Sequence, residues 1–308
     1  MKLLDRDVIT GKKGERNKIV RAAWVAWAIW EEDLDFRRLY LICTCVLLVL
    51  IKTQAQYIPH NMTLNRGEEI KYDIYFKWGI LMPRAGEARF SFNESNLQGQ
   101  PTSRYRMIFH TANIFEAIYK MRDTINCYYG LDNKLLYGLK HTVESGYDLT
   151  DILTFSYAGE KTSIHSLRYT PTTKKLDTTL TVASGYVFDM LGATLFLRTI
   201  NRNTIQTGDI FTCTVITGKD LIQTSFRYQG QSIVEHDNYK YRTHYYIIDI
   251  HDDAFSESKA SAELWIGDDD NYIPVKVRTK LKIGYAEVYL KNANNLKRPL
   301  DCRIQMKK

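Results

Sequence analysis

From Gln56 onward, apolar and polar positions alternate with a period of two far more often than with one of 3.6. Glu68 to Trp78 (EEIKYDIYFKW), Ala88 to Phe92, Tyr105 to Phe109, Thr124 to Tyr129 and Leu135 to Val143 each send alternate residues to opposite faces, the signature of half-buried strands. Further β-type runs cover Leu153–Tyr157, Ser163–Tyr169, Leu176–Val182, Ile210–Ile216 and Leu221–Tyr228. The series continues with Ser232–Glu235, Tyr239–Ile250, Ala260–Ile266, Ile273–Thr279 and Ile283–Leu290. Turn formers stand between them at hairpin spacing, among them Gly130-Leu-Asp-Asn133, Thr170-Pro171, Gly218-Lys-Asp220, His236-Asp-Asn238 and Asp268-Asp-Asp-Asn271. Antiparallel meanders follow.

Two segments break the alternation. Thr111 to Met121 can be drawn as a short amphipathic turn with Ile114, Ala117, Ile118 and Met121 on one side, or as a continuation of the hairpin. Asp189 to Asn201 (DMLGATLFLRTIN) predicts a helix capped by Asp189, almost wholly apolar in its body and ending in Arg198 and Asn201. A helix with so little polar surface is buried against a sheet. The expected fold is therefore mainly β: curved antiparallel sheets, as an open barrel or two packed β lobes (65–182 and 208–291), with one short buried helix near 189–201.

Composition agrees with this picture and narrows the function. The 308 residues are 44% hydrophobic and 25% charged, with only 6 Pro, which excludes disordered and collagen-like chains. Twenty-one Tyr, 12 Phe and 5 Trp suit pleated, half-buried surfaces. The net charge of +7 is modest and forms no basic stripe, so nucleic-acid binding is not signalled.

Ahead of the β region, Arg37-Arg38 precedes the uncharged run Leu39–Ile51, and Lys52-Thr53-Gln54-Ala55-Gln56 follows it. These are the parts of a secretory signal over 37–55, with Thr53 and Ala55 as the small residues before a cut at Gln56. The run falls short of the about 20 apolar residues of a membrane span, so contact with a membrane is expected only through an uncleaved signal anchor. Residues 1–36, with Trp24, Trp27 and Trp30 every third residue, leave three readings open: a wrongly chosen start codon, an amphipathic membrane-surface helix, or a tail that folds on a partner. Beyond the signal, Cys127, Cys213 and Cys302 are isolated and lack metal-ligand spacing; one disulfide is allowed but not required. Cys213 reads as a buried strand residue.

Several residue groups, taken in order, carry a resemblance. The strand Gly67–Ile80 leads into Arg84-Ala-Gly86-Glu-Ala88, then come Phe188-Asp189-Met-Leu and Leu197-Arg198, and finally Leu264-Trp265-Ile-Gly-Asp268-Asp269-Asp-Asn-Tyr-Ile-Pro274-Val-Lys276 ahead of Gly284. Across roughly 65–291 the chain resembles the exported bacterial family known as domain of unknown function 3108, and its Ala55-Gln56 junction resembles export signals common in Bacteroidetes. The resemblance implies an extracytoplasmic, mostly β protein with no established activity and no assigned catalytic residue.

Candidate chemistry is sparse. Gly79-Ile80-Leu81-Met82-Pro83-Arg84 joins two strands. Either its apolar residues form a lip over a pocket, with Arg84 meeting an anionic head group, or they fold back on the sheet as a plain hairpin tip. Arg198 caps its helix C-terminus, pairs with a carboxylate, or faces a ligand. Asp268 and Asp269 lack the alternating spacing of a calcium loop and read as a solvated hairpin turn ahead of Pro274, itself at a sheet edge or a strand start. His251-Asp252-Asp253 reads as a polar loop: His251 and Asp252 are neighbours on an extended chain, so they point to opposite faces and make a poor dyad. No nucleophile elbow, zinc-protease helix, phosphate loop or dinucleotide fingerprint occurs, and no cofactor or metal site is expected. The function that best suits these features is a non-enzymatic binding or carrier module in the periplasm or outer envelope, taking a lipid-like ligand. An interaction protein of an envelope assembly is the second reading and a hydrolase built on Asp268–Asp270 the third. N-terminal sequencing of the exported chain is expected to begin at Gln56; a chain retaining Met1 contradicts the signal reading.

Overall fold

Period-two alternation becomes strand almost everywhere in the computed structural model, which describes residues 64–112, 114–118, 120–144, 146–251, 260–281 and 284–306. The first half is a meander: β1 (Glu68–Lys77), β2 (Arg84–Leu97), β3 (Gln100–Thr111), helix α1 (Ile114–Ile118), β4 (Met121–Tyr129), β5 (Leu135–Glu144), β6 (Tyr147–Ala158), β7 (Lys161–Thr170) and β8 (Lys175–Ser184). Short β9 (Val187–Asp189) and helix α2 (Gly192–Leu197) lead to a second meander. It comprises β10 (Ile210–Thr217), β11 (Asp220–His236), β12 (Tyr239–His251), β13 (Ala260–Gly267), β14 (Pro274–Lys280) and β15 (Tyr285–Asn294), with β16 (Arg303–Gln305) added on β12. The last long strand, β15, pairs antiparallel with β1, so the two expected halves form a single sheet rather than separate lobes.

That sheet has to curl. Its outermost strands are β8 and β9, and only Gly185 and Tyr186 connect them. Fifteen strands side by side at about 4.8 Å would measure roughly 70 Å across if flat. Two linking residues reach only about 10 Å. The far edges are therefore brought together, and a nearly closed barrel-like sheet results. The edges do not zip: β9 pairs parallel with β10, β8 pairs with β7, and no ladder joins β8 to β9.

Register decides what faces inward. Cross-strand partners share a face, and one lateral row runs Ile70, Phe90, Met107, Ile125, Lys140, Asp151, Arg168, Asp177 from β1 to β8. The row begins apolar and ends as charges of alternating sign. Its neighbour, Phe92, Tyr105, Cys127, Gly138, Leu153, Ser166, Thr179, stays mostly apolar until β7. The inward face is thus oily under β1–β4 and polar toward the free edge.

The interior is filled by α2 and its surroundings. Leu195, Phe196 and Leu197 are buried with Phe188, Val187, Phe226 and Tyr246 in the larger core. The helix is shorter than the predicted 189–201, because Val187–Asp189 joins the sheet and the helix begins only at Gly192. Asp189 still serves the turn, its Oδ1 accepting the Gly192 N–H at 2.7 Å. α1, in the segment that read as an amphipathic turn or a continued hairpin, is one helical turn between β3 and β4. A second core gathers Val234 and Tyr241 of the distal β11–β12 hairpin with Ile273, Val275, Tyr289 and Cys302.

Gly284 shows how closely the elements approach. It has φ +71°, and a Cβ there would collide with the Lys77 carbonyl oxygen of the neighbouring β1 end. Gly79 also has positive φ, at +57°, but open space around it. Gly284→Ala is expected to destabilise the fold by about 1–3 kcal/mol, and by more than Gly79→Ala. Urea unfolding midpoints of the two variants check the order.

Candidate functional site

Where β8 and β9 fail to pair, the inward face of β4–β7 looks across at β9, β10 and the β10–β11 turn. A cavity of about 80 Å³ lies there among Ile125, Leu149, Leu153, Met190 and Ile216, with Lys140, Asp151 and Arg168 at its polar side. A larger groove of about 280 Å³ continues past Asp151 and Arg168 to Ser166, Lys175, Thr179 and Lys219 at the free edge. Asp151, Leu153, Arg168 and Gly218 line both. Together they form one seam, apolar inside and charged at the mouth.

Each polar group of the seam has an identifiable support. Asp151 holds Arg168 in a two-point grip, accepting from Nε at 2.6 Å and Nη2 at 2.9 Å. Such a fork fixes the guanidinium plane. Gly218, at φ +62°, brings the β10–β11 turn against Arg168, where a Cβ would lie 2.5 Å from Nη2. Thr181 Oγ1 donates to the Lys219 carbonyl at 3.3 Å, a side-chain stitch between β8 and that turn. Ser166 Oγ is buried in the wall without a hydrogen-bond partner among the described residues. At the floor the Cys127 thiol donates to Asp189 Oδ2 at 2.6 Å. Burial, reinforced by Asp189, pushes the Cys127 thiol well up, and burial raises the Asp189 carboxyl. A thiol held protonated is no nucleophile, so the floor is a polar anchor rather than a reactive pair.

A third space, about 100 Å³, lies inside the barrel among Ile70, Tyr72, Phe90, Val277 and Val288, with Thr194 and Arg198 of the helix end. Arg198 is buried, as is its partner Glu68 on β1; Nη1 meets Oε1 at 2.5 Å and Nη2 meets Oε2 at 3.2 Å. Thr194 Oγ1 lies 3.3 Å from Tyr105 Oη on β3. These contacts tie the helix to the first meander, while Phe196 packs on Phe226 of the second.

The other residues singled out by sequence are dispersed. Ile80 and Leu81 project into solvent instead of folding back, whereas Met82 packs on the second core. Arg84 is held by Asp73 at 2.7 Å and Glu87 at 2.6 Å, so it is committed to the sheet surface and lies away from the seam lining. The acidic turn is not the solvated hairpin expected. Asp268 contacts His244 Nε2 at 3.0 Å; Asp269 is buried and accepts from the Asn271 and Cys302 N–H groups at 2.9 and 3.2 Å; Asp270 pairs with Arg202. The three carboxylates fan out to three separate structural duties, which removes the geometry a hydrolase would need from them. Pro274 is the first residue of β14, the strand-start position of the two the sequence allowed. A Cβ on Gly86 would sit 2.6 Å from the His110 carbonyl, and Trp265 stacks on Tyr245 at 4.8 Å beneath Lys276. Cys127, Cys213 and Cys302 are all free and buried. Ala55, Gln56 and Asp252–Ser258 lie outside the described residues.

Sequence reasoning missed His244. It is buried on β12, with Nδ1 2.9 Å from Tyr228 Oη and Nε2 on Asp268. Both Tyr228 and His244 are nearly inaccessible, so the relay is an internal strut. Among the described residues no group of three or more side chains is placed to hold a metal ion, and no helix is long and apolar enough to cross a membrane.

Residues 71–291 match the family described as protein of unknown function, DUF3108. The chain belongs to that family. No curated protein matches it. Among solved structures, the β-barrel-like protein of domain of unknown function DUF1849 from Brucella abortus superposes with a TM-score of 0.53 at 12% identity, covering 75% of this chain and 99% of that one. A lipoprotein candidate from Parabacteroides distasonis gives only 0.30 at 8% identity over 79% of this chain and 100% of that one. The first supports the barrel-like fold of this DUF3108 protein; the second carries no argument.

Removing one member of a buried ion pair strands the other charge in an apolar setting. Arg198→Met alone is expected to cost about 3–5 kcal/mol. The double variant Glu68→Leu/Arg198→Met is expected to regain most of that loss. Denaturant titration of the two variants and the parent checks both.

Proposed function

We propose that this DUF3108 protein works outside the cytoplasm, in the periplasm or outer envelope, as a non-enzymatic binding or carrier module for a hydrophobic or amphipathic envelope component. The observation that carries the reading is the seam: an apolar recess opening into a charged groove between two sheet edges that approach without pairing. Ligand pockets are concave and largely apolar with a few fixed polar groups, and span about 300–1,000 Å³. The 280 Å³ groove falls just below that range. A longer molecule is accommodated by parting the edges, which breaks the Thr181–Lys219 stitch and no backbone ladder. The signal-like segment at 37–55 supports export.

A second reading rests on β8. Among the described residues its outer edge carries no partner strand, and Leu176, Leu180 and Val182 stand exposed on β8. An extended segment of an envelope protein can add there as a further strand. Cross-linking in the native envelope that captures partners through β8 supports this reading; partner capture unaffected by changes in β8 contradicts it.

The carrier reading is tested by native mass spectrometry of the protein purified from its own envelope, before and after extraction with organic solvent. A discrete added mass that solvent removes is expected. Gly138→Leu, which fills the recess from β5, is expected to lack it. A clean apo mass together with no uptake of dodecyl phosphate would retire the reading.

A further inference from the structure

Two hairpin tips meet at one end of the sheet. The β1–β2 connection presents Trp78, Ile80 and Leu81 with 60%, 100% and 58% exposure, and the β14–β15 connection adds Leu281 at 40%. Gly284 lets the tips touch, since any side chain there would strike the β1 backbone at Lys77. These apolar groups are held outward by the backbone. Trp78 and Leu81 exchange both N–H and carbonyl bonds, at 2.9 and 3.0 Å, across a turn whose Gly79 has φ +57°. A turn closed this tightly cannot fold Ile80 back on the sheet.

Cations stand one residue behind the tips. Lys77 precedes Trp78 and Lys280 precedes Leu281. Both are in register with Tyr285 on β15, so they share one face at the base of the tips, and the Arg278 guanidinium lies 3.9 Å over the Tyr285 ring. Lys276 and Arg278 continue that face around Glu287. Lys77, Lys276 and Arg278 pair with Glu287, Arg278 also with Glu263, and Lys280 adds a fourth cation to that face.

We infer that this double tip is a membrane-docking element, inserting Trp78, Ile80, Leu81 and Leu281 into the interfacial layer of a bilayer while Lys77 and Lys280 meet anionic head groups. The shape favours lipid over protein. Four protruding side chains make a point smaller than the about 800 Å² per partner of a stable protein interface. A fluid bilayer moulds itself around such a point, and Trp favours the boundary between hydrocarbon and water. Groups buried about 5–10 Å deep leave cations one residue behind at head-group level. The inference does not depend on what the seam binds.

The test is hydrogen exchange, read locally so that residues 1–54 cannot confuse it. The full chain is mixed with vesicles of 70% phosphatidylcholine and 30% phosphatidylglycerol. Exchange in the peptide spanning 76–84 is expected to slow about tenfold, and less with pure phosphatidylcholine. The exposed-site variant Ile80→Asp/Leu81→Asp is expected to lose the slowing while its β-strand exchange stays unchanged. Lys77→Gln/Lys280→Gln is expected to lose only the preference for the anionic vesicle. A chain that sediments with vesicles while 76–84 exchanges as before would overturn the inference. So would a tip protected without vesicles as protein concentration rises, which would assign it to a second copy.

Discussion

Gly185 and Tyr186 impose the constraint on which the architecture rests. They join the two outermost strands of one long sheet, and so short a link allows only a curled sheet with its edges face to face. Tyr186 also fastens the closure: its hydroxyl accepts the Leu135 N–H at 3.1 Å, and its ring stacks on Tyr157 at 6.0 Å and meets Phe188 edge-on at 4.6 Å. The far edges, β9 and β8, are paired on their inner sides with β10 and β7, and they approach each other without forming a ladder. A barrel closed by connectivity rather than by hydrogen bonds has a seam by construction.

What fills the barrel follows from the same geometry. The chain enters the interior right after crossing the seam, and α2 can be nearly all apolar because it is surrounded. Its one strong charge, Arg198, finds Glu68 on the first strand. That bidentate pair links the middle of the chain to its first strand, and its cost when halved exceeds its net value when whole. Along the inward rows, apolar residues beneath β1–β4 give way to Lys140, Asp151 and Arg168 under β5–β7, so the seam is where oil and charge adjoin.

Local features were legible in the chain. Alternation located the strands, turn formers located the hairpins, and the apolar run after Asp189 located the buried helix. Its ends were misplaced because Val187–Asp189 is taken up by the sheet, a tertiary choice that periodicity does not record. The β1–β15 pairing was not legible, since alternation says which face a residue shows and not which strand lies beside it. Arg198 and Glu68 are 130 positions apart, beyond any spacing argument. The Asp268–Asn271 turn looked solvated by composition, yet Asp269 and Asn271 are buried because the segment 298–302 closes over them with backbone groups. The β1–β2 tip read as a lip over a pocket or as a hairpin folded back on the sheet; the structure divides it, with Ile80 in solvent and Met82 packed on the second core.

The central claim is that ligands enter through the unpaired seam, and a reversible staple tests it most directly. The variant Thr181→Cys/Lys219→Cys puts two thiols where β8 already touches the β10–β11 turn, for oxidation to a disulfide. Uptake of dodecyl phosphate, followed by native mass spectrometry with the staple oxidised and then reduced, is predicted to be lost when oxidised and restored when reduced. Equal uptake in both states would contradict entry through the seam.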